Sequence, residues 1–104
     1  MSTRKEPRTK KTFRVKVVEG DNAYPGIVTN CSKSGMSIKT DHVFPTFKVV
    51  DVLVKIGQKL VPIKGSVRWV HEGVEPENPD EDQYKNEIGV AFQNPPPEYL
   101  KRFE

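Results

Sequence analysis

Apolar positions along this chain recur at alternate residues in short runs, the period of strands with one buried face. Residues 12–19 (TFRVKVVE) put Phe13, Val15 and Val17 on one face and Arg14 and Lys16 on the other. The triplet Gly20-Asp-Asn supplies a turn, and residues 23–30 predict a second strand. Its Pro25 and Gly26 call for an edge or a bulge near the start. Met36, Ile38 and Thr40 share one face of a third strand. Residues 49–56 (VVDVLVKI) and 59–71 (KLVPIKGSVRWVH) predict a hairpin about Gly57-Gln58, with Pro62 at another bulge or edge position. Six acids and three Pro or Gly residues over 72–83 predict an exposed loop. A last strand runs over about 84–93 until Asn94-Pro-Pro-Pro97 stops it. The tail EYLKRFE then forms a short helix with Tyr99, Leu100 and Phe103 as its apolar contacts. Without an internal repeat, these elements predict one all-β domain: a six-stranded antiparallel β-barrel with a short C-terminal helix.

Residues 1–11 have no hydrophobic period and are dense in Arg, Lys, Thr and Pro. They are expected to be a flexible basic arm, with residues 12–104 as the barrel domain. Charge sharpens that division. Residues 1–16 hold seven basic side chains against the single acid Glu6, a local charge of +6 in a chain of net charge +3. The remainder is mildly acidic, with seven acids between 72 and 87 against Lys85. A basic arm on an acidic body suggests an anionic partner for the arm, although a solvated tail shows the same charge. The lone Cys31 rules out an intrachain disulfide and favours a reducing, cytoplasmic compartment. No apolar run approaches the roughly 18–20 residues that span a bilayer, and the basic N-terminus lacks the apolar stretch of a secretory signal. Membrane insertion is not expected.

Candidates for catalysis are thin. His42 and His71 stand in different segments, with no cysteine or carboxylate at metal-ligand spacing. Ser32, Ser34 and Cys31 sit together without a nearby base to activate any of them. The acids after residue 72 lack the spacing and turn glycine of a calcium loop. The chain therefore predicts no catalytic residue, no metal and no cofactor. Two local patterns carry more. Arg4-x-x-x-Arg8 offers two guanidinium groups, each able to grip guanine O6 and N7, clamp a phosphate or stack on a base. Asn30-Cys-Ser32-Lys-Ser-Gly35 reads by itself as a hairpin turn, with Asn and Ser bonding local backbone and Gly35 at positive φ.

Together the two patterns say more than either alone. Twenty-two positions separate Arg8 from Asn30, room for one strand out and one back. This order resembles the PilZ domain family, whose signature is RxxxR followed by [D/N]xSxxG. Val15 lies where the family begins its first strand. Gly65-Ser-Val67-Arg-Trp69 resembles its G-x-V-x-W strand, and Ile88-Gly-Val-Ala-Phe92 its closing G-V-x-F strand. The resemblance implies a PilZ-type barrel that binds cyclic di-GMP and is not an enzyme. Arg4 and Arg8 would take phosphate and the guanine Hoogsteen edge, Asn30 the guanine's polar edge, and Ser32 the guanine or a phosphate. Gly35 would let the turn bend and the ligand approach the backbone. Asn30 is neutral where many members carry Asp. Thr3, standing where an extra Arg often accompanies a stacked ligand pair, points to one ligand per chain. Trp69 has two readings, stacking on a base or packing at the barrel end. Its phase with Ile63 and Val67 on a candidate core face favours the second, so it is left outside the site with its ligand contact open.

On this reading the chain is a receptor that reorders its arm on binding cyclic di-GMP and signals to an unidentified downstream protein. Two rivals stand beside it. One is a PilZ-like adaptor that works by protein contacts alone. The other is a small nucleic-acid-binding barrel, which predicts steep salt dependence and indifference to the particular nucleotide. The intact motif pair disfavours a nucleic-acid polymer as partner.

Overall fold

The computed structural model describes residues 13–73 and 84–103. Six strands account for most of them: β1 Phe13–Glu19, β2 Asn22–Ser32, β3 Gly35–Thr40, β4 Val49–Ile56, β5 Lys59–Glu72 and β6 Asn86–Phe92. They close into a barrel in the order β1-β2-β3-β6-β5-β4, with antiparallel pairing at every seam including β1 with β4. Closure follows from the alternating pattern. Each strand has one apolar face to bury, and wrapping the sheet on itself buries all six at once and pairs every strand on both sides along part of its length.

The inward side chains form one cluster. Val15 and Val17 of β1 meet Val28 and Cys31 of β2, Met36 and Ile38 of β3, and Val50, Val52 and Val54 of β4. Ile63, Val67, Ile88 and Val90 complete the ring, and Phe44 enters from the connection between β3 and β4. Burying a side chain of this size contributes about 1.5–3 kcal/mol. The C-terminal segment closes one end of this interior. Helix α1 (Pro97–Leu100) has a proline in its first turn and runs into a 3-10 turn over Lys101–Phe103. Tyr99 is fully buried between Phe92 and Phe103, edge-on to both, with ring centroids 5.3 and 5.2 Å away. Leu100 and Phe103 pack on the same core, as the apolar spacing of the tail predicts.

Neither proline marks a bulge. Pro25 pairs with Lys16 of β1, but the pairing of β2 with β3 begins only at Gly26. Pro62 pairs with Leu53 of β4, and β5 meets β6 only from Gly65. Each proline thus occupies a stretch with a strand on one side only, where a missing N–H interrupts no ladder. The register shifts fall elsewhere, in β2 between Val28 and Asn30 and in β5 between Val67 and Trp69. The expected basic arm and most of the acidic loop lie outside the described residues.

Candidate functional site

The hairpin of β2 and β3 carries the Asn-x-Ser-x-x-Gly motif. Lys33 and Ser34 form its two-residue turn, and Ser32 pairs with Gly35. Gly35 is not at positive φ, contrary to the turn expectation; the positive-φ glycines among the described residues are Gly20, Gly57 and Gly73. The requirement at Gly35 is space. A Cβ there would lie 2.4 Å from the Val90 carbonyl oxygen of β6, so only glycine lets the two strands approach this closely. The turn is tied down on both sides. The Phe92 N–H donates to the Ser34 carbonyl at 2.7 Å, and the Tyr99 hydroxyl donates to the Ser32 carbonyl at 2.5 Å. The helix that plugs the barrel therefore also holds the motif hairpin.

The two register shifts decide which side chains face outward. Val28 is a core residue, so strict alternation would send Asn30 inward as well. The extra residue Thr29 breaks the phase: Asn30 turns to the exterior and Cys31 to the core. Arg68 does the same in β5. Val67 stays in the core, Trp69 turns outward, and Val70 packs back on the core. Backbone bonds across the neighbouring connection brace this bulge, with the Phe47 N–H donating to the Val67 carbonyl at 2.5 Å and the Val67 N–H to Lys48 at 2.9 Å. Trp69 is thus an exterior residue, 36% exposed, and not the barrel-end packing residue that its phase with Ile63 and Val67 predicts. The one-residue shift at Arg68 is the cause.

The outward residues line up across four strands. Asn30 pairs with Ser37, Ser37 with Gly89, and Gly89 with Trp69. Neighbouring strands lie about 4.8 Å apart, so this row spans roughly three such spacings. The indole covers part of it: a Cβ on Gly89 would stand 2.2 Å from the Trp69 ring atoms Nε1 and Cε2. Beside the indole lies a hollow of about 180 Å³ with a floor of small residues, Gly35, Ser37, Gly89 and Ala91, walled by Arg68 and Trp69. Asn30 and Ser32 are not in its lining but stand one strand further on, as register partners of Ser37 and Gly35. Asn30 Oδ1 is buried and accepts no hydrogen bond, the one such side-chain atom among the described residues. A buried acceptor without a donor carries a desolvation penalty of about 1–3 kcal/mol, which a ligand N–H would relieve.

The row can hold a flat, donor-bearing ring: small residues below, an aromatic at one end and an amide acceptor at the other. A second hollow of about 490 Å³ lies over β1 and β4, on the far side of the barrel, with Pro25, Leu53 and Leu60 in its lining. Its walls are mostly apolar, with the basic residues Arg14, Lys16 and Lys55 and the aromatic Tyr84 also in the lining. Of the residues expected from sequence, the structure brings Asn30, Ser32 and Gly35 together, with Ser32 buried. Arg4 and Arg8 lie outside the described residues. Sequence reasoning missed Ser37, Gly89 and the outward Trp69. The G-x-V-x-W spacing marked the tryptophan, but only the bulge shows where it points. Among the described residues, no group of three or more His, Cys, Asp or Glu side chains is gathered to hold a metal. No helix among them is long and apolar enough to cross a membrane.

A closed six-stranded antiparallel barrel with a C-terminal plug and an Asn-x-Ser-x-x-Gly hairpin defines a narrow class. The family model described as PilZ domain matches residues 2–104, and the chain belongs to that family. Among solved structures, the chain is similar to the Bacillus subtilis inhibitor of motility (MotI/DgrA), with a TM-score of 0.72 and 12% identity. That match covers 99% of this chain and 48% of the Bacillus one, so this chain spans about half its length. It is also similar to the PilZ domain of Escherichia coli YcgR, solved with c-di-GMP, with a TM-score of 0.67 and 10% identity over 98% of this chain and 86% of that one. At such identities the likeness speaks for the fold. No curated protein matches the sequence.

Proposed function

We propose that this chain is a cyclic di-GMP receptor that signals to a partner protein. The observation that carries this reading is the exterior row Asn30–Ser37–Gly89–Trp69, with an unpartnered acceptor at one end and an accessible indole at the other. One guanine would lie over the small-residue floor. Its ring would stack against Trp69, and its N–H donors would satisfy Asn30 Oδ1. Ser32 would stand at the hairpin end of the site and Gly35 would keep the floor low. Arg4 and Arg8 would close over the ligand, clamping phosphate and the Hoogsteen edge of guanine. Binding would thereby reorder residues 1–11, and that reordering is the signal a partner would read. The partner would meet the arm or a barrel face. The lone, buried Cys31 suits a reducing compartment such as the cytoplasm.

Titration calorimetry with cyclic di-GMP, GMP, GTP and a short oligonucleotide tests the reading. Selective binding of cyclic di-GMP is expected, and Arg8→Ala should abolish measurable binding while the far-ultraviolet circular dichroism stays unchanged. Wild-type protein that ignores cyclic di-GMP would leave a protein-contact adaptor, and equal binding of oligonucleotides would leave a nucleic-acid barrel.

A further inference from the structure

The residue that takes the guanine's polar edge by family pattern is here an amide, and an amide oxygen is a neutral acceptor. Guanine presents two neighbouring donors on that edge, the ring N1–H and the exocyclic amino group. A carboxylate can accept both in parallel, and charge makes those bonds stronger. The structure holds a carboxylate against Thr29, the residue before Asn30, that no motif announces. Glu87 is on β6, two strands away, in register with Lys39 of β3 and His71 of β5. Its side chain crosses β3, and the Thr29 hydroxyl donates to Glu87 Oε2 at 3.1 Å. Thr29 is the bulge residue directly before Asn30, so the carboxylate reaches β2 one residue from the side chain whose oxygen has no partner. The Thr29 bond engages one lobe of Oε2 and leaves the rest of the carboxylate to accept further N–H groups.

We propose that Glu87 is the base-reading carboxylate of this site, accepting guanine N1–H and amino donors beside Asn30 and selecting guanine over adenine. The inference rests on the cyclic di-GMP reading above. The selectivity follows from chemistry. Adenine sets a ring-nitrogen lone pair against the carboxylate where guanine sets N1–H, and hypoxanthine keeps N1–H but lacks the amino group. The bulge thus has two effects: it turns Asn30 outward and supplies the hydroxyl that orients Glu87.

The test is calorimetry of wild type and Glu87→Gln with cyclic di-GMP, cyclic di-IMP and cyclic di-AMP. Gln keeps the size of the side chain and an oxygen for Thr29, so the thermal midpoint should be unchanged. Wild type should prefer cyclic di-GMP to cyclic di-IMP, and Glu87→Gln should weaken cyclic di-GMP by about tenfold or more, the scale of a lost bidentate base contact. Its preference over cyclic di-IMP should shrink with it. Wild-type affinity in Glu87→Gln, or an equal loss for both ligands, would overturn the assignment of Glu87 and leave the receptor reading standing. Wild type that binds none of the three would overturn the receptor reading itself. A second variant, Thr29→Val, keeps the carboxylate but removes its orienting bond; it should weaken cyclic di-GMP less than Glu87→Gln does, and a larger loss would also overturn the assignment.

Discussion

At the scale of single residues, the site rests on small side chains beside large ones. Trp69 lies over Gly89 because nothing larger fits beneath it, and that placement leaves the indole open to a ligand. Trp69→Ala should cost about 1–3 kcal/mol of cyclic di-GMP binding, the measured range for one base stacked on an aromatic. Calorimetry reads the loss, and a near-constant thermal midpoint would show that the residue serves the ligand more than the fold. Gly89→Ala adds a methyl where the indole now sits, so the ring must move. Its tryptophan emission should shift and its affinity fall together. Unchanged emission would contradict the close approach. None of this was legible from residue type: a tryptophan at the end of an alternating strand reads as core. Asn30, by contrast, was expected as a ligand contact from its motif, and the structure adds that its Oδ1 is buried without a donor.

At the scale of elements, the strands were legible and their irregularities were not. Alternation located all six strands to within a few residues, because the barrel buries one face of each and polar residues hold the other. The bulges at Thr29 and Arg68 left no mark in the pattern, since Val28, Cys31, Val67 and Val70 are apolar whichever phase is assumed. The prolines drew attention to positions that are merely paired on one side. Gly35 illustrates a different gap. Its place in the motif was plain, yet the reason lies across the sheet in the Val90 carbonyl. Gly35→Ala should therefore destabilise the barrel by about 1–3 kcal/mol, the usual cost of overpacking, through strain between β3 and β6. Urea unfolding measures it. A wild-type midpoint would mean that the strands part without cost.

For the whole molecule, the C-terminal segment joins the motif hairpin to the core. Tyr99 fills the barrel end with its ring and bonds the Ser32 carbonyl with its hydroxyl, linking residues 67 positions apart. Tyr99→Phe keeps the ring and removes the bond. The loss of a buried hydrogen bond, about 0.5–1.5 kcal/mol, should lower the melting temperature by several degrees, since ~1 kcal/mol corresponds to about 4–8 °C in a domain near this size. Calorimetric melting checks the shift. An unchanged temperature would show that the hairpin is held by its ladder alone. Saturating cyclic di-GMP should raise the melting temperature of both proteins, because a ligand bound only to the folded state stabilises it.

The sequence by itself determined the all-β class, the succession of strands along the chain, the terminal helix, the family resemblance and the Asn-Ser-Gly hairpin. These depend on local period and on motifs contained in one stretch of chain. Only the tertiary structure decided that Trp69 faces outward, that Gly89 makes room for it, and that the Glu87 carboxylate reaches Thr29, the residue before Asn30. Those facts come from register between strands distant in sequence, and a single inserted residue reverses which side chains share a face. Alternation along one strand carries no information about its neighbour's register, so the row from Asn30 to Trp69 becomes visible only once the barrel is closed.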